Sequence, residues 1–263
     1  MKKAGVLLML LVCAFYAPLA YKSLTGGFRF GKLALDLPSH PTTVVELPAH
    51  EFTYLGRGTQ SFVFMSLDGR YVLKLFRREQ WVHPWRAQFR KKKRSKPTLN
   101  ALLAGAKLAF DKAQDLTGLI AVHLHPGGKP EAVMLHDKLG RTHTIDLNRC
   151  SFAVQHRGVP FREELFRAMR EHDLPKTERL LTSFVQLVRT RVERGIRNTD
   201  AKVSSNFGVL GDRVIEWDFG SYTTASEVNA AHELGRFAPA LRHSLRKRSP
   251  EAAAMFERLL EEQ

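Results

Sequence analysis

The chain has 263 residues, 44% of them hydrophobic and 25% charged, which excludes a disordered or collagen-like protein and suits one domain of two lobes. Lysine and arginine number 41 against 26 aspartate and glutamate, giving a formal net charge of +15. This excess attracts anions such as nucleic acid, lipid headgroups or phosphorylated ligands without choosing among them. The two cysteines predict no disulfide framework, because Cys13 lies in the first apolar segment and leaves Cys150 without a partner.

The N-terminus carries a basic start and an apolar run. Lys2 and Lys3 precede an uncharged stretch, residues 4–21. That stretch exceeds the roughly 7–15 apolar residues of a signal peptide and approaches the roughly 17–25 of a spanning helix. Residues 1–33 therefore predict an uncleaved membrane anchor with a single span; a signal peptide that is cleaved, leaving an exported protein, is the alternative. Basic residues flank both sides, so the side occupied by the rest of the chain stays open.

The pattern then changes to short β-type runs. Residues 34–50 hold three prolines and predict a linker. After it, alternating apolar runs broken by glycine-containing turns predict strands at 54–55, 61–65 and 71–76. Asp68-Gly69, between the second and third runs, is a typical hairpin turn.

Residues 77–96 form the densest positive run of the chain. Trp81, Trp85 and Phe89 recur every four residues, so a helix would place them on one face. The first interpretation is a solvated insertion whose aromatic side chains cover the neighbouring lobe. Contact with a membrane surface is the alternative, and binding of single-stranded nucleic acid is unlikely by comparison.

The remaining elements predict an α+β chain. Helical periodicity covers residues 99–115, strand patterns return in three short runs, and residues 161–193 read as two helices split around Pro175. Two last helices are predicted at 227–245 and from Pro250 onward. The three strand patterns lie at 119–124, 132–136 and 142–147. A β-rich lobe, residues 51–155, thus precedes a helical lobe, residues 156–263, an order that suits an enzyme with a cleft between the lobes.

Two elements of the β-rich lobe point to a polyphosphate. Gly56, Gly58, Ser61 and Val63 form a Gly-x-Gly-x-x-Ser-x-Val turn between strands. Glycines without side chains let backbone N–H groups approach a phosphate chain closely. Lys74 ends the next apolar run, and a lysine there needs an anionic partner such as a carboxylate or phosphates.

A third element lies in the helical lobe. Asp200, Lys202 and Asn206 follow a long predicted helix, and a strand then ends at Asp218-Phe219-Gly220. An acid at a strand end beside an asparagine on the preceding loop suits Mg²⁺, which takes few, hard oxygen ligands and shares the phosphates. An additional aspartate upstream can accept a hydroxyl proton or orient the acceptor.

The order of glycine loop, strand lysine, Asp-x-Lys, asparagine and Asp-Phe-Gly resembles the protein-kinase-like superfamily over residues 52–225. The resemblance implies a two-lobed kinase-like fold with a truncated helical lobe, and ATP and Mg²⁺ as cofactors. It further implies that Lys74 holds the α- and β-phosphates, while Asp200 acts as base or orients the acceptor. The remaining implied roles are phosphate or nucleotide contacts for Gly56, Gly58, Ser61 and Val63, γ-phosphate neutralisation for Lys202, and magnesium binding for Asn206 and Asp218.

The match has gaps. Arg197-Asn198-Thr199 stands where the family has His-Arg before the aspartate, and Asn206 lies one residue too far from Asp200. The helix at 99–115 lacks the glutamate that pairs with the strand lysine, which leaves Asp111, Asp115 or Glu79 as substitutes. No Ala-Pro-Glu follows Asp-Phe-Gly. Two hypotheses stay open: a membrane-associated ATP- and Mg²⁺-dependent phosphotransferase acting on a small-molecule, lipid-linked or protein hydroxyl, or a catalytically inactive pseudokinase-like module that scaffolds partners.

Overall fold

The computed structural model describes residues 2–34, 47–78, 98–124, 132–200, 202–225, 227 and 229–261. The helices are α1 (Lys2–Thr25), α2 (Leu99–Lys112), α3 (Gln114–Thr117), α4 (Phe161–Arg170), α5 (Leu174–Glu193), α6 (Val203–Asn206), α7 (Ala230–Arg246) and α8 (Pro250–Glu261). The strands are β1 (Glu51–Arg57), β2 (Ser61–Ser66), β3 (Tyr71–Phe76), β4 (Leu119–His123), β5 (Ala132–His136), β6 (Thr142–Asp146), β7 (Phe152–His156), β8 (Val159–Pro160), β9 (Ile196–Asn198), β10 (Phe207–Leu210), β11 (Arg213–Glu216) and β12 (Tyr222–Thr224).

A mixed seven-stranded sheet forms the β-rich half, in the order β4-β7-β3-β2-β1-β5-β6. Its pairs are antiparallel except β1 with β5. Gly69, with φ 71°, closes the β2–β3 hairpin, because that left-handed turn position favours a residue without Cβ. Two small sheets, β11-β10-β8 and β12-β9, lie in the helical half. The predicted α+β class is confirmed, and the arrangement is consistent with a two-lobed kinase-like fold.

The outer face of the large sheet is covered by the chain that follows α1. Phe62 and Phe64 point to this face, and the rings of both meet that of Phe28 edge-on, each with centroids 5.2 Å apart. Leu33 and Leu47 bury their side chains in the same apolar cluster, here called the outer cluster. Part of the segment that the sequence assigned to the anchor therefore packs with the β-rich half.

The apolar N-terminal run is helical over α1, which ends at two glycines with positive φ, Gly26 (63°) and Gly27 (75°). The Tyr54 hydroxyl donates to the carbonyl oxygen of Gly26 at 3.2 Å and so joins the helix end to β1. Among the helices of the described residues, none has the length and apolarity required for a membrane span.

Helix α2 joins the sheet to the segment around Asp-Phe-Gly. The Thr98 hydroxyl caps its first turn by accepting from the backbone N–H of Ala101. Gly105 lets the helix pack directly on backbone, because a Cβ there would lie 2.9 Å from the carbonyl oxygen of Phe219. The helical periodicity predicted for residues 99–115 is confirmed, with a break at Ala113 before α3.

The helical half packs around α5. Buried side chains of α4, α5, α7 and α8 form one cluster that includes Phe161, Phe184, Phe237 and Phe256. The two helices predicted across residues 161–193 are confirmed, but the chain breaks at His172 (φ 54°), and Pro175 occupies the first turn of α5.

Strands β1 to β6 and β11 were predicted, whereas β7, β8, β9, β10 and β12 were not. Among these, β7 belongs to the large sheet. It lies between β4 and β3, where Phe152 and Val154 face the outer cluster and Ala153 the opposite side. The basic run, residues 77–96, lies outside the described residues beyond Arg78, as does most of the predicted linker, so their predicted roles stay predictions.

Candidate functional site

Lys74 links the two halves of the molecule. It lies on β3 directly opposite Val63 of β2 and Ala153 of β7, so the three share the sheet face that is turned away from the outer cluster. Its ammonium nitrogen donates to the carbonyl oxygen of Trp217 at 2.5 Å and lies 5.0 Å from the centroid of the Phe219 ring. Lys74 therefore reaches the residues on either side of Asp218.

Asp218 is the carboxylate that acts on Lys74. Burial lowers the pKa of Lys74 to about 8, and the charge of Asp218 opposes that shift. Two of the proposed substitutes for the missing glutamate are engaged elsewhere: Asp111 pairs with Lys107 at 2.6 Å, and Asp115 with Arg194 at 2.6 Å. The third, Glu79, lies outside the described residues.

The carboxylate of Asp218 has no hydrogen bond or ion pair to any of the described residues and is half-buried, while its backbone N–H donates to the carbonyl oxygen of Asn206 at 3.4 Å. The amide nitrogen of Asn206 donates to the carbonyl oxygen of Asp200 at 2.8 Å, and its amide oxygen accepts from the Ser205 hydroxyl. The short helix α6 accommodates the extra residue between Asp200 and Asn206. Hydrogen bonds to backbone atoms therefore join the segments that carry Asp200, Asn206 and Asp218.

Asp200 lies at the open side of this loop. One carboxylate oxygen accepts from the ammonium of Lys202 at 2.9 Å, and the two side chains are 30% and 62% exposed. The backbone N–H of Asp200 donates to the amide oxygen of Asn198 at 2.8 Å. Asp200 is thus oriented through its backbone, and its carboxylate remains accessible.

A buried polar network beneath the loop was not predicted. Asn198 donates to Glu216 at 2.6 Å, and the Glu216 carboxylate also accepts from Arg191 at 3.0 Å and from the Tyr222 hydroxyl at 2.7 Å. Arg191 bonds Glu233 at 3.0 Å with its other terminal nitrogen. Burial raises the pKa of Glu216, and the neighbouring Arg191 opposes that shift. The sequence signal was a glutamate inside an apolar strand run, where an unpaired charge is costly.

Asn198 connects this network to both predicted acids. Besides accepting from the Asp200 N–H, it donates to the carbonyl oxygen of Asp218 at 3.5 Å. In the predicted kinase-like pattern, the segment that includes Asn198 stands where His-Arg is expected. It bonds the buried carboxylate of Glu216 as a neutral donor, because Arg191 already supplies the charge.

The glycine loop lies over the Asp-Phe-Gly segment. A Cβ on Gly220 would lie 2.4 Å from the amide oxygen of Gln60, so loop and segment are in close contact. At Gly56 a Cβ would meet nothing within 4 Å, and at Gly58 the nearest atoms lie 3.9 Å away. Packing of the protein therefore does not require glycine at either position. This is expected if the two glycines are there to let a ligand come close to the backbone. Ser61, the other predicted contact, begins β2.

Among the described residues, no group of three or more His, Cys, Asp or Glu side chains is arranged to hold a metal ion. Mg²⁺ in nucleotide sites commonly uses one or two carboxylates together with substrate phosphates. The unpaired carboxylate of Asp218 and the amide oxygen of Asn206 are oxygen donors of that kind, and the hydrogen bond from the Asp218 N–H to the Asn206 carbonyl holds their two segments together. The residues present fit a magnesium–nucleotide complex.

Comparisons with solved structures find matches of low sequence identity. The chain is similar to a co-crystal structure of WbdD with the kinase inhibitor LY294002, with 15% identity and a TM-score of 0.41. It is also similar to a structure described as the bifunctional kinase-methyltransferase WbdD, at 14% identity and a TM-score of 0.41. The matches cover 79% and 77% of this chain but only 45% and 43% of those chains. No protein-family model and no curated protein sequence matches.

Proposed function

We propose that this protein binds ATP with Mg²⁺ between its β-rich and helical halves and transfers the γ-phosphoryl group to a hydroxyl acceptor. The observation that carries the proposal is the convergence of Lys74 and Asp218. A lysine on a strand of one half and an unpaired carboxylate in the other interact electrostatically across the interface. A metal–triphosphate complex requires a cation for its phosphates and an unpaired carboxylate for its metal, both close to a glycine loop.

Each residue has a task in this scheme. When bound, the magnesium–ATP complex supplies a phosphoryl group whose charge the metal partly neutralises. Lys74 would bind the α- and β-phosphates through its ammonium. Asp218 and Asn206 would provide oxygen ligands for the metal.

Asp200 and Lys202, which form an accessible ion pair, would act on the acceptor hydroxyl and the transferred group. Asp200 would orient the acceptor hydroxyl and take its proton on a carboxylate oxygen. Lys202, which pairs with that carboxylate, is placed to neutralise charge on the transferred group. Because phosphoryl transfer depends mostly on positioning and charge neutralisation, these five side chains would supply what the chemistry needs.

The test uses the full chain in a neutral detergent, with thermal unfolding followed in the presence of ATP and Mg²⁺. Ligand at a hundred times its dissociation constant stabilises the folded state by about 2.7 kcal/mol. Lys74→Ala and Asp218→Asn should abolish the shift. Asp200→Asn should keep the shift and lose phosphoryl transfer. Asp212→Asn, an exposed aspartate in the turn between β10 and β11, is the matched control and should behave as the wild type. No shift in the wild type would refute nucleotide binding.

A second candidate function is favoured by the carboxylates of α2 and α3. Asp111 and Asp115 form ion pairs with other residues and not with Lys74. In that case the cleft binds nucleotide without transferring phosphate, and the protein acts as a pseudokinase-like module. A melting shift that depends on Lys74, together with no turnover of ATP in the presence of candidate hydroxyl acceptors, would support this second function.

A further inference from the structure

Four cations gather at the edge of the glycine loop where the chain arrives from α1: Arg29, Lys32, Arg57 and Arg77, here called the cationic cluster. The Lys32 ammonium donates to the carbonyl oxygen of Gly27 at 3.0 Å. A Cβ on the same glycine would lie 2.6 Å from a terminal nitrogen of Arg57. Arg77 pairs by a backbone bridge with Leu33, the residue after Lys32.

No carboxylate of the described residues forms an ion pair with any of the four cations of the cluster. Burial lowers the pKa of Lys32, and Arg29, Arg77 and Arg57 each lower it further. Burial and the charge of Arg57 also lower the pKa of Arg77. The four like charges repel one another, so the cluster destabilises the fold unless an anion joins it.

Arg77 forms the floor of the cluster. The residue is 7% exposed, and one terminal nitrogen of its side chain donates to the carbonyl oxygens of Gly58 at 3.1 Å and Thr59 at 3.3 Å. Its Nε has no hydrogen-bond partner in the described part of the chain. An unpartnered donor on a buried cation costs free energy, because the group has lost its water without gaining an acceptor.

The cluster lies on the other side of the sheet from the cleft. The Arg77 guanidinium is 5.0 Å from the centroid of the Phe62 ring, which belongs to the outer cluster, whereas Lys74 points to the opposite face. Arg29 and Arg57 are exposed, Lys32 is half-buried and Arg77 is buried, so the cluster is open to solvent at Arg29 and Arg57.

We propose that the cationic cluster binds a phosphate group, carried either by an anionic lipid headgroup or by a free phosphate ion. Guanidinium groups bind phosphate oxygens through paired N–H donors, and an ammonium adds a point charge. A lipid source fits the position of the cluster, because α1, immediately before it, exposes Phe15, Leu19 and Leu24. Since Arg77 also holds the carbonyls of Gly58 and Thr59, the bound phosphate would fix the glycine loop.

The test is thermal unfolding of the full chain in neutral detergent, without nucleotide or Mg²⁺. One arm titrates inorganic phosphate against chloride at equal ionic strength. The other adds phosphatidic acid or phosphatidylcholine to the micelles. The proposal is supported if inorganic phosphate raises the melting temperature and if phosphatidic acid, but not phosphatidylcholine, does so too. The site then accepts a phosphate group from either source. A shift in one arm alone assigns the source to lipid or to free phosphate.

Matched variants locate the site. The double variant Lys32→Gln/Arg57→Gln should lose the shift. Without ligand it should melt no lower than the wild type, since the repulsion among the cations of the cluster is relieved. Arg213→Gln combined with Lys247→Gln removes the same charge from exposed positions of the helical half and should keep the shift. Lys74→Ala should also keep it, which separates this site from the nucleotide cleft. No shift in either arm, or a shift that survives in the Lys32/Arg57 variant, overturns the proposal.

Discussion

The ammonium of Lys74 donates a hydrogen bond to the carbonyl oxygen of Trp217, 143 residues later in the chain. A strand of the large sheet is thereby held to the residue before Asp218, without any carboxylate from α2. Lys74 keeps a partner while the cleft is free of ligand, and a polyphosphate would have to replace that carbonyl. The protonation of Lys74 is then expected to govern ligand binding.

The pH dependence follows from the lowered pKa of Lys74, about 8. A polyphosphate binds the charged ammonium, so the affinity for ATP with Mg²⁺ should fall as pH rises through about 8. The folded state binds fewer protons than the unfolded state between that value and the usual 10.5, so this residue's contribution to stability rises over the same interval. Binding titrations from pH 7 to 9.5 measure the first effect. Lys74→Arg keeps its charge and should remove the pH dependence; an unchanged profile in that variant would contradict the assignment.

Asn198 is expected to position both acids. In Asn198→Ala, Glu216 loses one donor and the Asp200 N–H loses its acceptor, which should cost about 1–3 kcal/mol of unfolding free energy. Phosphoryl transfer should fall by roughly 10²-fold, because small displacements of catalytic groups have effects of that size. Denaturant unfolding and turnover measure the two. Thr199→Ala, the exposed neighbour, is the control, and equal losses in both variants would argue against a specific role for Asn198.

Gly105 and Gly235 give opposite predictions for the same substitution. Both lie inside helices, but a Cβ on Gly105 would press on the Phe219 carbonyl at 2.9 Å, whereas a Cβ on Gly235 would meet nothing within 4 Å. Gly235→Ala should therefore stabilise by about 0.5–1 kcal/mol through helix propensity. Gly105→Ala should destabilise and weaken nucleotide binding, because α2 must move away from Asp-Phe-Gly. Denaturant unfolding decides the signs, and stabilisation by Gly105→Ala would refute the close packing.

Phe28 tests whether the chain after α1 is part of the core. It is 7% exposed, whereas its neighbour Phe30 is 42% exposed. Phe28→Ala should destabilise by about 3–5 kcal/mol, the usual cost of removing a buried phenylalanine. Phe30→Ala should cost much less. Equal effects in chemical denaturation would show that residues 26–34 do not stabilise the sheet.

The sequence predicted what local chemistry determines. The spacing of Leu99, Leu102 and Leu103 sufficed for α2, and Asp68-Gly69 sufficed for a hairpin. Strand β7 was missed because its first four residues, Phe152 to Gln155, are all buried, so it lacks the alternation of apolar and polar residues that marks a half-buried strand. These elements depend on periodicity and turn residues, which are visible within a few positions.

The candidate site was predicted residue by residue, but its electrostatic partners were not. That Asp218 acts on Lys74, and that Asn198 binds Glu216, depends on contacts between distant segments. No spacing rule relates such pairs. Arg77 belonged, in the sequence, to a run of similar basic residues, and only its burial under the glycine loop distinguishes it.

The short connection between α1 and the sheet limits how far apart the two can lie. Thr25 ends the helix and Phe28 is already in the core, so three residue steps, roughly 10 Å when extended, are all that separate them. Any surface or partner that bound α1 would hold β3, and Lys74 on it, at a nearly fixed distance from that surface. A ligand of Lys74 would then be reached only close to the surface.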